Sequence, residues 1–451
     1  MKKIKNKLLE TFSINSVFSW LIIFGVLTRL FLIYKLPLWG DEAYSIWATE
    51  QAWLGIINNS VDPVHPPGYY LFIKVWGLIS DHLFWLRLSS FGAFLINLKL
   101  IKKIFENNHD LQKIITFLYV FSGYFLVFDW QLRMYTPSLT LILASLLLQK
   151  QNKNIPLLFI NTLGYFFDYA FFWYGASFTF FRIISELFKE KKVSTTSKIN
   201  LSSFLIFLTW LGFNPGLIFS GEEGIGWAVK YYDPLFHLPY FLGTHAFPWL
   251  SIFFIVLLSH GVITFFKKEK ADLITEIIFI STCFLYSSTL LVSVLQIFKI
   301  FHFRSLNIIP LMFLLAIAWS LRFFKKKNKK IFFLILFIYL INFIGAVIVH
   351  LSYKDDNAGK LIVHFFPWKY SFLQILKTDD INQKYISIKK IPTENIEYLY
   401  IWSFFYTARG KETLGEKSIE VKIEPAKDYQ DCQKIENIEY YWQSYLCPKN
   451  Y

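Results

Sequence analysis

Asp41 and Glu42 stand side by side in "LPLWGDEAYS", directly behind an apolar run. Asp62 and His65 follow in the same loop, with His65 placed just before a Pro-Pro-Gly turn. Further on come Asp129 and Arg133 in "FDWQLRMYT", Asp168 in "DYAFFWYGA", and His302 and Arg304 in "KIFHFRSLN". A carboxylate can take a proton from a hydroxyl nucleophile. Arginine and histidine can hold a phosphate through charge-assisted hydrogen bonds. Together these residue types suit an amphiphilic substrate with a phosphate head. Each also has a plainer role. Asp41 can cap a surface helix, His65 can bond loop backbone, Arg133 can pair with Asp129, and Arg87 fits structural pairing better than catalysis.

The elements that must position these side chains are apolar. The chain is 55% hydrophobic and only 17% charged, with a mean hydropathy of +0.40. A soluble protein of this length carries about 25% charged residues. Repeated apolar runs of about 20 residues therefore indicate a polytopic membrane protein. The formal net charge of +14 does not require a nucleic-acid partner, because Lys and Arg gather in short loops where the positive-inside rule puts them. No zinc-type or nucleic-acid motif is visible, and three cysteines are too few for a cysteine-rich metal site.

The basic N-terminus "MKKIKNK" precedes an apolar run over 17–34 that is long enough to span a bilayer. No small-x-small cleavage site follows it, so the run is expected to be retained, with the N-terminus cytoplasmic. Lys-rich loops at 99–113, 149–154, 189–198, 267–270 and 322–330 then fall on the cytoplasmic side. One alternation satisfies all of them and gives about eleven spans with the C-terminus outside. The first outer loop runs over 36–84. Its "GYYLFIKVWGLI" is too short to span and, with its Tyr and Trp, fits an interfacial helix. All the candidate chemistry then lies at the outer rim, where ionisable groups are costly unless they function or pair.

The tail over 351–451 is polar and mixed in charge. It reads as a small extracytoplasmic α/β domain, with "IEYLYIWSFFYTARG" as a buried strand region. Outside the cytoplasm, Cys432 and Cys447 are candidates for a disulfide, the alternative being two free thiols. Cys283 lies in an apolar run and packs.

The acidic pair in "WGDEAYS", followed by "HPPGYYLFIKVWGLI" and "WLRLSSFGAFL", resembles the GT-C membrane glycosyltransferases. More narrowly it is similar to the branch of protein O-mannosyltransferases and lipid A aminoarabinose transferases. "DWQLRMYTPSLTLIL" is similar to that family's Arg-x-Tyr segment, here Arg133 and Tyr135. "FHFRSLNIIPLMFLLAIAWSL" resembles its late Arg-containing helix start. The resemblance runs in order over 1–350; the tail matches nothing comparable.

The resemblance implies a GT-C fold and a donor sugar on a polyprenyl phosphate. It implies inverting transfer at the outer face of the plasma membrane, onto a hydroxyl of a lipid, glycan or protein. The first acid of the pair, Asp41, is then the general base, and Glu42 orients the acceptor or helps hold a cation. His65, Arg133 and Arg304 contact the donor phosphate, with Asp62, Asp129, Tyr135, Asp168 and His302 as further candidates. The family often has an acid two residues before the arginine. Gln131 stands there instead, so a divalent cation stays possible and no metal site is assigned. A transporter or flippase of lipid-linked glycans is the main rival and predicts paired repeats with broken helices. A non-enzymatic scaffold is the other, and it predicts no dependence on Asp41.

Overall fold

A computed structural model describes residues 14–36, 40–58, 65–213, 239, 241–268 and 308–351, together with four strands between 384 and 448. The described residues are mostly helical. In chain order the helices are α1 (Ile14–Lys35), α2 (Gly40–Glu50), α3 (Trp53–Ile57), α4 (Gly68–Gly77), α5 (Leu83–Ile104), α6 (His109–Val120), α7 (Gly123–Asp129), α8 (Tyr135–Lys150), α9 (Asn154–Phe167), α10 (Tyr169–Glu190), α11 (Thr195–Phe213), α12 (Leu250–Lys268), α13 (Ile308–Lys327) and α14 (Lys329–Leu351). The strands β1 (Lys384–Lys390), β2 (Glu420–Glu424), β3 (Gln433–Ile435) and β4 (Trp442–Pro448) form one sheet in the order β2-β1-β4-β3. β1 and β2 are parallel and the other pairs antiparallel. The chain divides into two compact units, 1–35 with 53–351, and 36–52 with 352–451. The expected strand region "IEYLYIWSFFYTARG" and Cys432 lie outside the described residues. Cys447 lies in β4, where its Cα pairs with that of Tyr385.

Among the described residues, α1, α5 and α14 are long and apolar enough to cross a membrane. The pair α6 and α7 adds a fourth crossing if its 61° bend is one broken span. Their polarity is inverted relative to a soluble helix. On α1, Trp20, Leu27 and Tyr34 are exposed while Arg29 is fully buried. On α5, Leu95 and Ile96 face outward, and Arg87, Ser90 and Asn97 are buried along one stripe at helical spacing. Apolar side chains outside and polar ones inside are what a lipid environment favours, since only the bundle interior offers hydrogen-bond partners. The remaining expected crossings fall on helices outside that set, such as the 14-residue α9 and the 22-residue α10, or on segments outside the described residues.

Helix ends follow local chemistry. Ser122 caps α7 by accepting from Phe125 N, and Asn108 caps α6 by accepting from Leu111 N. Close helix approaches use glycine. A Cβ at Gly261 would fall 1.9 Å from Ala316 O, where α12 packs on α13. Gly243 holds φ at +69°, a conformation L side chains rarely adopt, and its carbonyl accepts from Asn342 Nδ2 at 2.6 Å.

α4 is a ten-residue helix, too short to span, as its sequence indicates. Two tryptophans fasten it to α5. Trp76 and Trp85 stack at 4.8 Å and 5°, and each indole N–H donates to the other residue's carbonyl at 3.0 Å.

Helices α8 to α11 enclose a hydrogen-bonded polar core. Gln149 Oε1 accepts from Arg182 Nη1 at 3.0 Å and from Asn200 Nδ2 at 2.9 Å. Asn161 bridges Asn200 and Ser145. Arg182 pairs with Glu186 at 2.9 Å, and Glu186 also accepts from Ser194. A network this well satisfied is structural glue for four helices.

Candidate functional site

The acidic pair lies at the start of α2. The helix opens at Gly40, so Asp41 and Glu42 occupy its first turn, which favours negative charge through the helix dipole. Glu42 is fully buried, with Ser45, Ile46 and Ala48 on the same helix also buried. The side chain of Asp41, and all of Asp62, His302 and Arg304, lie outside the described residues.

The turn joining α7 to α8 carries Asp129 through Met134, and nearly all of it is buried. The charge partner of Asp129 is Arg29 on α1, not Arg133 as sequence proximity offered. Arg29 Nε donates to Asp129 Oδ2 at 2.7 Å, and both side chains have no exposure. Thr136 Oγ1 donates to Asp129 Oδ1 at 3.1 Å. Arg29 Nη1 donates to Gly25 O at 3.1 Å, and the guanidinium lies 4.2 Å from the Phe94 ring centroid. Gly25 itself lets α1 close on α6, since a Cβ there would fall 2.2 Å from Val120 Cγ1. The signal for Arg29 was present in the sequence as a charge inside an apolar run; its partner 100 positions away was not.

Arg87 takes the structural role expected of it. Its Nη1 donates to Ile33 O at 3.1 Å, in the last turn of α1, where a cation also suits the helix dipole. Its guanidinium lies 5.0 Å from the Trp130 ring centroid. Trp130 meets His350 edge-on at 6.2 Å, and His350 lies 6.0 Å from His245. His245 is partly exposed, yet both ring nitrogens are buried. Desolvation of those nitrogens lowers its pKa to about 4.

Three candidates come together on the other side of this turn. The Pro-Pro-Gly segment delivers its chain against the end of α9. A Cβ at Gly68 would fall 2.5 Å from Phe166 O, so only glycine fits without displacing backbone. Tyr69 packs edge-on against Phe167 at 5.7 Å. The next residue is Asp168, the N-cap of α10, whose Oδ1 accepts from Ala170 N at 3.2 Å. Asp168 is buried, and burial raises its pKa. The Ala170 N–H, the charge of His65, the Ser138 hydroxyl and the charge of Arg133 pull it back down. His65, Arg133 and Asp168 thus share one electrostatic neighbourhood. Arg133 reaches it from the α7–α8 turn, where its guanidinium also lies 5.8 Å from the Tyr135 ring centroid. Ser138, one turn into α8, was not singled out from sequence; an isolated serine in an apolar helix carries no distinctive pattern.

Arg133 and His65 bring two cationic side chains to one neighbourhood beside Asp168, a pairing that can hold a phosphate. Among the described residues, no group of three or more His, Cys, Asp or Glu could hold a metal ion. No protein-family model matches the chain, and no curated protein matches it.

Proposed function

We propose that this chain is a polytopic membrane glycosyltransferase of GT-C type, with about eleven spans, its active site at the outer face, and an extracytoplasmic α/β tail. The donor is a sugar on a polyprenyl phosphate and the acceptor a hydroxyl of a lipid, glycan or protein. The observation that carries the proposal is the gathering of His65, Arg133 and Asp168 where the Pro-Pro-Gly turn meets the end of α9. Such a cluster suits a phosphate held at the edge of an apolar bundle.

In the proposed reaction the Asp41 carboxylate takes the acceptor proton. The acceptor oxygen bonds to the anomeric carbon as the bond from that carbon to the phosphate oxygen breaks. The electron pair leaves on the polyprenyl phosphate, and the configuration inverts. His65, Arg133 and Arg304 hold that phosphate as its charge grows, and Glu42 orients the acceptor. Asp41→Asn in intact membranes supplied with labelled polyprenyl-phosphate sugars tests this. Loss of transfer with normal folding is expected; full transfer refutes the mechanism.

The break between α6 and α7 favours a second reading, transport of a lipid-linked glycan, because transporters place substrate at interrupted helices. It predicts substrate movement without bond cleavage, and movement that survives in Asp41→Asn.

A further inference from the structure

We propose that the buried stretch at Gly243 is a latch that sets the bend between α6 and α7, with Gly243 and Asn342 as positioning residues for Arg133. The proposal rests on the glycosyltransferase reading, in which Arg133 holds the donor phosphate, and deepens it. Leu242 and Thr244 are buried in the bundle, although 242–249 is not helical. Irregular backbone at membrane depth is tolerated only where protein satisfies its polar groups. Asn342 on α14 donates its Nδ2 to Gly243 O at 2.6 Å. Thr244 N donates to Pro239 O at 2.7 Å, and the hydroxyls of Thr244 and Ser251 bond at 2.6 Å at the start of α12. Asn342 is fully buried. Among the described residues its side chain makes the Gly243 bond alone, Oδ1 having no partner. A polar amide deep in an apolar span marks a specific contact.

That contact lies at the helix break. Gly243 has φ +69°, and a Cβ there would fall 2.9 Å from Tyr124 N and 3.1 Å from Gly123 N. A Cβ at Gly123 would in turn overlap Gly243 O. Backbone therefore abuts backbone where α6 gives way to α7, with no flexible side chain between them to absorb a shift. The far end of α7 is fixed too, through the pair of Asp129 with Arg29. Held at both ends, the seven-residue helix is a strut, and Arg133 follows in the turn it carries. Seven helical residues span roughly 10 Å. Relaxing the 61° bend to a straight helix would sweep that turn by about 10 Å. A misplacement of about 1 Å already costs a reaction heavily.

Asn342→Leu deletes the latch bond and keeps most of the volume. Gly243→Ala strains the same point from the other side. In full-length protein in lipid nanodiscs, transfer from a labelled polyprenyl-phosphate sugar is measured as kcat and KM. Hydrogen exchange over 122–134 is followed alongside by mass spectrometry. Asn342→Leu is expected to stay folded, to exchange faster over 122–134, and to lower kcat/KM about tenfold. In a cycle with Arg133→Gln it is expected to add no further loss, since Asn342 acts through Arg133. Gly243→Ala is expected to follow the same pattern. Unchanged exchange in Asn342→Leu overturns the latch. Faster exchange with parent-like transfer overturns the positioning role, and so does a loss that multiplies that of Arg133→Gln. A parent that transfers no sugar overturns the glycosyltransferase reading, and faster exchange in Asn342→Leu then still supports the latch.

Discussion

Asp129→Asn removes the anion from the Arg29 pair and leaves the cation buried. At 2.7 Å and an effective dielectric of about 20, two unit charges attract by roughly 6 kcal/mol. Withdrawing both from water costs several kcal/mol per ion, so the intact pair contributes little net stability. Deleting one partner is another matter, because desolvation of the remaining charge is then uncompensated, at about 3–5 kcal/mol. Arg29 would retain the Gly25 carbonyl and the face of Phe94 at 4.2 Å, the latter contributing about 2 kcal/mol when desolvated. Asp129→Asn should therefore fall near the lower bound, at about 3 kcal/mol. Arg29→Met leaves Asp129 with the Thr136 hydroxyl at 3.1 Å and should cost about 4 kcal/mol. Arg29→Met combined with Asp129→Leu removes both charges and should recover most of the loss. The assay is equilibrium unfolding of the purified protein in mixed micelles for the complete double-mutant cycle. A cost below about 1 kcal/mol for Asp129→Asn, the range of an exposed pair, would refute the burial argument. So would a double variant as unstable as the sum of the singles.

Gly68→Ala should displace the Pro-Pro-Gly turn, because its Cβ meets backbone at 2.5 Å. A loss of about 1–3 kcal/mol in stability, with a fall in sugar transfer, is the expected outcome in thermal melts and transfer assays. Gly261→Val should separate α12 from α13 for the same reason at 1.9 Å, and a normally melting variant would contradict that packing. Gln149→Leu should strand the Arg182 and Asn200 donors and cost about 2–4 kcal/mol, read by chemical denaturation. Acidification should destabilise the fold through His245, whose folded pKa of about 4 lies below the unfolded value of about 6.5. The unfolded chain takes the proton first, so stability falls between those values by about 3 kcal/mol. His245→Gln should flatten that limb in a pH series of melts. Asp168, displaced upward by burial, acts with the opposite sign: its share of stability is present at low pH and lost as pH rises through the raised value.

The sequence pattern locates α1, α5 and α14 because unbroken apolar runs of bilayer length have few other uses. It also marks α4 as too short to span. It misses the break after Val120, since "FLYVFSGYFLVFD" reads as one apolar stretch. Only Ser122, as a cap, and the neighbouring Gly123 mark the interruption. Arg29 stands out as a charge within a span, but its pairing with Asp129 joins residues 100 positions apart, and hydrophobic periodicity carries no such information. Asp129 with Arg133 was the local alternative, and the fold chose the distant one because α1 runs alongside the α6–α7 bend. His65, Arg133 and Asp168 were named separately from their types. Their convergence depends on the 2.5 Å approach at Gly68, which is a property of packing.

The reciprocal indole clasp between Trp76 and Trp85 has an evolutionary consequence. Each side chain donates to the other's backbone carbonyl and stacks on the other's ring, so replacing either one removes a hydrogen bond and the stacking contact together. Neither position can drift by itself without passing through a form poorer than both ancestor and descendant. Homologous chains should therefore carry both tryptophans or neither, inherited as a single two-site character that links the short helix α4 to the span α5 behind it.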